Sequence, residues 1–224
     1  MESLIGQIQI QVNSKIFLKD PNTSNLGKKI VSNSILMIDE IGFESFTFRK
    51  LAKKLSTTES SIYRYFENKH KLLIYLSSWY WGWLEYQLVF STINVASAEE
   101  RLKTAIEVVI KPPSKDETFE SFSLEALFRI VISESPKAYL TKEVDDANKA
   151  GSYSGYKVLV ERISQIVLEI KPTYKYPHML ISTIIEGAHI QHHFAEHLPR
   201  LTDKLDGEDS ITYFYLEFAK KILQ

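Results

Sequence analysis

Between Ser56 and Leu73 the chain reads STTESSIYRYFENKHKLL, a run of hydroxyls, tyrosines and one arginine. Short polar side chains let a helix backbone approach base edges in a DNA major groove, while hydroxyls and amide N–H groups at a helix start receive phosphate. Thr57, Thr58, Ser60 and Ser61 supply the small groups. Tyr63 can bond phosphate or pack on a thymine methyl, and Arg64 can neutralise phosphate or read guanine. Lys69, at the start of the next predicted helix, adds its charge to that helix's positive dipole end.

Charge distribution agrees with a polyanionic partner. From Asn22 to Ser77 nine Lys/Arg stand against five acids, although the net charge of all 224 residues is -1. A positive segment on a mildly acidic body is expected when one part of a protein meets nucleic acid. Other chemistries lack their parts. There is no cysteine, which closes disulfide and thiolate chemistry, and there is no Gly-rich phosphate loop or nucleophile elbow. The acids scatter as solvated charges, and EVDDANK reads as a solvated helical turn. No catalysis and no cofactor are expected. The start, MESLIGQIQIQVNSK, lacks a basic segment followed by a long apolar core, and no run approaches the roughly 18 apolar residues of a membrane span. A soluble, cytoplasmic protein without membrane contact is expected.

A groove-reading helix needs a frame, and helical periodicity supplies one along the whole chain. A first helix is predicted from Ser24 to Ile41, with Val31, Ile35 and Ile38 on one stripe and Gly42 as a left-handed cap. A second opens at Thr47 and aligns Phe48, Leu51, Ala52 and Leu55. After the interruption at Ser56-Thr57, a short third helix turns Ile62 and Phe66 inward, and Asn68 caps a long fourth from Lys69 to Phe90. Further helices are predicted over Ala98–Ile110, Thr118–Ser133 (ending before Pro136), Ser154–Ile170, Pro177–His197 and Asp209–Leu223, with Tyr139–Asn148 undecided. The fold class is all-α. In the first residues Ile8, Ile10 and Val12 alternate with glutamines, a period-two pattern that fits a loosely docked terminus, a β-contact with a partner subunit or a DNA-contacting arm.

The segment from Ile35 to Leu76 resembles the DNA-binding domain of the TetR family of bacterial one-component transcriptional regulators. It carries the family's Gly-aromatic-x-x-x-Thr entry (Gly42, Phe43, Thr47), its Leu-Ala pair (Leu51, Ala52) and its signature at Ile62, Tyr63, Tyr65, Phe66 and Lys69. The resemblance implies three parts: an extension over 1–22, a three-helix helix-turn-helix domain over 23–75, and a helical effector-binding and dimerisation body over 76–224. It implies Thr47 and Lys69 on phosphate, Thr58 capping the recognition helix, and Glu59, Ser60, Ser61, Tyr63 and Arg64 on the groove side. Three positions depart from the family pattern. Ser56 stands where glycine is usual, which puts a strained backbone angle on a residue with a side chain. Thr57 replaces an apolar turn residue. Glu59 replaces a basic or small one, and would either accept from a cytosine amino group or form a capping box with Ser56.

Two clusters in the body invite further readings. SSWYWGWLEY sets Trp79, Tyr80, Trp81, Trp83 and Tyr86 too closely on one helix to share a single face. They serve core packing, or Trp79, Trp83 and Tyr86 wall an effector pocket for a hydrophobic or amphipathic ligand. AHIQHHFAEHLPR sets His189, His193 and His197 on one helical face, a spacing that can hold zinc or nickel. The resemblance instead places that helix at a dimer interface, with Ile181, Ile184, Ile185, His189, Tyr213, Leu216 and Phe218 as candidate contacts. The leading expectation is a homodimeric repressor on a pseudo-palindromic operator, released by a small-molecule effector. A metal-responsive regulator using the histidine face is the alternative, and a helical enzyme or adaptor a more distant one.

Overall fold

The computed structural model describes residues 10–114, 118–119, 122–205 and 209–224, and most of them are helical. The chain divides into two compact units. One comprises the described residues of Met1–Gly82 and Pro112–Gly155, the other Trp83–Lys111 and Tyr156–Gln224.

In the first unit, α1 (Asn25–Ser45) is capped by Ser24, whose Oγ accepts from the Gly27 amide at 3.1 Å. The end expected at Ile41 is a kink instead. Gly42 has φ 75° and ψ 156°, an angle pair open to a residue without Cβ, and the helix takes one further turn before Phe46 bonds back to the Gly42 carbonyl. Next come α2 (Phe48–Lys54), α3 (Glu59–Tyr63) and α4 (Lys69–Thr92). The predicted stripe of α1 is the buried one: Val31, Ile35 and Ile38 meet a small core with Leu51, Ile62 and Phe66. Asn68 Oδ1 accepts from the Lys71 amide at 2.8 Å and so opens α4 as predicted.

The same unit holds α6 (Leu124–Tyr139), which packs on α1, and α7 (Val144–Lys149). The helix start expected at Thr118 is replaced by an antiparallel pair, β1 (Thr118–Phe119) with β2 (Phe122–Ser123). Ser123 Oγ then caps α6 by accepting from the Ala126 amide at 3.2 Å. Contrary to expectation α6 passes through Pro136. The proline lies in the last turn, where it removes one amide donor, and the Leu140 amide closes on the Pro136 carbonyl at 2.7 Å. At the N-terminus Ile8 falls outside the described residues. Ile10 is buried in irregular chain, and a 3-10 turn follows at Ser14–Ile16, so the alternating pattern makes no strand among the described residues.

In the second unit, the C-terminal part of α4 is joined by α5 (Ala98–Ile110), α8 (Ser154–Ile170), α9 (Pro177–His197) and α10 (Ser210–Leu223). Each is amphipathic and turns one stripe inward: Leu102, Ile106 and Val109 on α5, Leu159, Ile163 and Val167 on α8, Ile181, Ile184 and Ile185 on α9. Asp209 caps α10, its Oδ1 accepting from the Thr212 amide at 3.1 Å. Among the described residues no helix is long and apolar enough to cross a membrane.

Candidate nucleic-acid interface

Thr47 is the N-cap of α2, its Oγ1 accepting from the Lys50 amide at 3.2 Å. The helix ends in a tight reversal. The Ser56 amide bonds the Lys53 carbonyl at 3.3 Å and the Thr57 amide bonds the Ala52 carbonyl at 3.0 Å, the pairing of a Schellman cap. That cap requires a left-handed residue at its apex, and Ser56 adopts φ 50° there, as its position in the sequence suggests. Two residues later Thr58 opens α3: its Oγ1 accepts from the Ser61 amide at 3.2 Å and lies 2.9 Å from Ser61 Oγ. Because Thr58 is the cap, the third helical position belongs to Ser61, so the capping box suggested for Ser56 and Glu59 does not form. Glu59 occupies the first turn, where a carboxylate suits the helix dipole.

The helix α3 is divided by its pattern of burial. Ile62, Tyr65 and Phe66 are buried, whereas Ser60, Tyr63 and Arg64 are exposed and Glu59 and Ser61 half-buried. Tyr63 keeps 47% of its surface open while its ring meets Phe48 edge-on at 5.1 Å, which orients the hydroxyl end without covering it. Arg49, Lys53 and Lys54 on α2 are exposed as well. These cations were countable in the sequence as part of the positive segment, but periodicity alone did not assign them to a surface.

Lys69, at the start of α4, is held against the end of α1. Its ammonium donates to the carbonyls of Phe43, Glu44 and Phe46 at 2.9, 3.2 and 3.3 Å, and lies 4.7 Å from the centre of the Phe43 ring. All three of its donors serve the C-terminal end of α1, so it closes that helix.

In the body, Trp79 and Trp83 are buried, and Trp79 packs edge-on against Phe122 at 5.0 Å. Tyr86 is at the surface instead, stacked on the exposed Phe90. A cleft of about 660 Å³ lies between α5 and α10, lined by Leu102, Ile106, Ile170, Leu216 and Leu223 together with Lys103 and Lys220.

The candidate interface residues separate into two groups. Ile181, Ile184, Ile185 and His189 are buried inside the subunit and offer no surface to a twin, which corrects the expectation for these four. Tyr213 is exposed, and Leu216 and Phe218 are half-buried. The apolar residues that do face outward are Met179 and Ile190 on α9 and Tyr213 and Phe214 on α10. The histidine face divides similarly. His189 is 3% exposed, and burial, followed by the nearby His192, lowers its pKa from 6.5 to about 3. The rings of His193 and His197 lie 4.6 Å apart, and among the described residues no three His, Cys, Asp or Glu are grouped to hold a metal.

Residues 30–76 match the family model of bacterial regulatory proteins, tetR family. No curated protein matches the sequence. Solved structures share the fold, three of them as follows. The fatty acid degradation regulator FadR from Bacillus halodurans has a TM-score of 0.58 at 18% identity, over 88% of this chain and 97% of that one. AibR in complex with isovaleryl coenzyme A and operator DNA has a TM-score of 0.56 at 17% identity, over 85% and 96%. The superantigen PfiT has a TM-score of 0.56 at 17% identity, over 92% and 96%. These likenesses establish a common helical architecture, and that architecture carries more than one function.

Proposed function

We propose, from the premise that residues 30–76 form a DNA-binding domain of the tetR family, that the chain is a cytoplasmic, homodimeric transcriptional repressor that releases its operator on binding a small molecule. The observation that carries the proposal is the surface of α3. Its apolar side is consumed by the small core while Ser60, Tyr63 and Arg64 stay open, beside a second helix bearing Arg49, Lys53 and Lys54. Small polar groups, one aromatic and one guanidinium are what a groove-reading helix requires, and the flanking cations suit phosphate.

Dimerisation supplies the second reading head. Met179, Ile190, Tyr213 and Phe214 form the outward apolar stripe of the last two helices, the surface expected to meet a twin in a two-fold interface. Two heads related by a two-fold axis favour a pseudo-palindromic operator with half-sites roughly 34 to 36 Å apart, or a multiple of that. Effector control is supported by the cleft between α5 and α10, whose size suits a small ligand and whose apolar walls and two lysines suit an amphipathic one. The shared architecture with AibR, seen with both a coenzyme A ester and operator DNA, is consistent with this reading.

The experiment is selection of bound duplexes from a random DNA pool, followed by titration of the winner against variants and salt. Tyr63→Ala and Arg64→Ala should each lose about 1 to 3 kcal/mol more on the selected duplex than on random DNA. Lys69→Ala should lower thermal stability and leave the salt slope unchanged. Selection without enrichment, or a Tyr63→Ala, Arg64→Ala double variant with unaltered sequence preference, would overturn the proposal.

A further inference from the structure

Helix α4 is the covalent route out of the helix-turn-helix domain, and a second physical connection runs beside it. We infer that residues Asn13–Ser24 form a strap joining the α7–α8 turn to the recognition element, and that this strap holds the reading head ready for DNA; the functional half of the inference rests on the DNA-binding proposal above.

At one end, Asn13 Nδ2 donates to the carbonyls of Ala150 and Gly151 at 3.0 and 3.2 Å. Gly151 has φ 81°, and a Cβ on it would fall 2.5 Å from that same nitrogen, so the turn is shaped around the amide. Just upstream, Ile10 is buried, its Cγ2 2.8 Å from where a Cβ on Gly82 of α4 would stand. In the middle the strap is stiff. Asn13 Oδ1 accepts from the Lys15 amide at 2.9 Å to cap the 3-10 turn, Ile16 is buried, and Phe17 meets Tyr75 of α4 edge-on at 6.1 Å.

At the other end the contacts converge on one residue. The Leu18 amide donates to the Tyr65 carbonyl at 2.8 Å. The Lys19 ammonium lies 5.2 Å from the centre of the Tyr65 ring, and Ser24 Oγ pairs with the Tyr65 hydroxyl at 2.7 Å. Tyr65 directly follows Arg64, the C-cap of α3, and it is buried. Carbonyl, ring and hydroxyl are therefore all held from the strap. The route from Asn13 to Leu18 is six residues long and contains a hydrogen-bonded turn, so displacing the α7–α8 turn displaces Tyr65. A head restrained in this way surrenders less conformational entropy on binding than a free one, which raises operator affinity without any contact to DNA.

Two variants cut the strap at opposite ends and leave every groove-facing side chain intact. Asn13→Ala removes both carbonyl contacts. Leu18→Pro removes the amide that holds Tyr65, and Phe17 already has the extended backbone that precedes proline (φ −129°, ψ 157°). Tyr65→Phe, which breaks only the hydroxyl pair, replaces it should Leu18→Pro not fold. Amide hydrogen exchange on the full chain without DNA tests the mechanical link. Asn13→Ala should speed exchange about 10-fold at Ser61–Phe66 while the melting temperature shifts little. Faster exchange confined to residues 150–152 would overturn the strap. Affinity for the selected duplex tests the consequence. Each single variant should bind about 5-fold more weakly and the double variant no more weakly than either, because cutting a tether twice adds nothing. A multiplicative loss of about 25-fold, or no loss, would overturn the coupling. Should no duplex be selected, the DNA-binding proposal fails, and the exchange experiment still decides the strap.

Discussion

Ser56 is the one described residue other than glycine with a positive φ, and it sits at the apex of the turn that sets α3 against α2. A side chain in the left-handed region carries about 1 to 2 kcal/mol, partly offset by the greater chain entropy that glycine loses. Ser56→Gly should therefore raise unfolding free energy by about 0.5 to 1 kcal/mol, read from urea midpoints. An unchanged or lower midpoint would show that the hydroxyl contributes something that the cap does not explain. His189 gives a pH prediction with a definite sign. Its folded pKa, about 3, lies below the ordinary 6.5, so between these values the unfolded chain takes up a proton that the folded one refuses. Stability is then intact above about pH 6.5 and falls as the pH drops toward 3, by at most about 1.4 kcal/mol per pH unit. His192, also lowered by burial, acts in the same direction. His189→Leu should show a shallower decline between pH 7 and pH 5, and parallel declines would remove His189 from the account. At this scale legibility depended on whether a role is local. The angle at Ser56 follows from its place in a turn, and so was readable. The partners of Lys69 lie 23 to 26 residues away, and sequence cannot say whether an ammonium turns toward phosphate or toward carbonyls.

At the scale of elements, α6 is fastened to α1 by charge as well as by packing. Arg129 donates to both carboxylate oxygens of Asp39 at 2.8 and 2.7 Å and pairs with Glu125 at 3.0 Å. Lys137 joins Glu134 at 2.8 Å and Glu44 at 2.9 Å, and the Phe43 ring has the Lys69 and Lys137 ammoniums at 4.7 and 6.0 Å from its centre. Hydrogen bonds donated to Glu134 and Glu44 raise the Lys137 pKa, and Lys137 in turn lowers that of Glu44. The lysine's contribution is present below 10.5 and lost as pH rises through its raised value. The carboxylate's is present above 4.5 and lost as pH falls through its lowered value, so the fastening is complete at neutral pH. These groups are partly solvated, and Arg129→Leu should destabilise by about 1 kcal/mol, a deficit that shrinks in high salt. A salt-independent deficit would assign the effect to lost packing. Elements bounded by proline or by a side-chain cap were legible: Ala98–Ile110, Ser154–Ile170 and Pro177–His197 run as their punctuation indicates. The hairpin before α6 was not, because two-residue strands are too short for any period to show.

For the molecule as a whole, the amphipathic pattern of α9 and α10 shows which residues share a face but not whether that face meets its own chain or another. This is why Ile181, Ile184 and Ile185, which look like interface residues in sequence, belong to the subunit core. The outward stripe makes the dimer testable at one position. Phe214 is exposed and stacks on Phe218 at 6.2 Å, and Phe214→Glu should yield a folded monomer by sedimentation with sharply weakened operator binding. A stable dimer in that variant would move the interface elsewhere.

All three tryptophans of the chain, Trp79, Trp81 and Trp83, sit within five consecutive positions of α4, and all are buried. Excitation chosen to spare tyrosine therefore samples a single helix. Its emission should be blue-shifted and poorly quenched by iodide in the native protein. Any ligand, operator or variant that loosens this stretch will register as a colour change without an attached label, so the protein carries its own optical gauge in the helix along which the chain passes from one unit to the other.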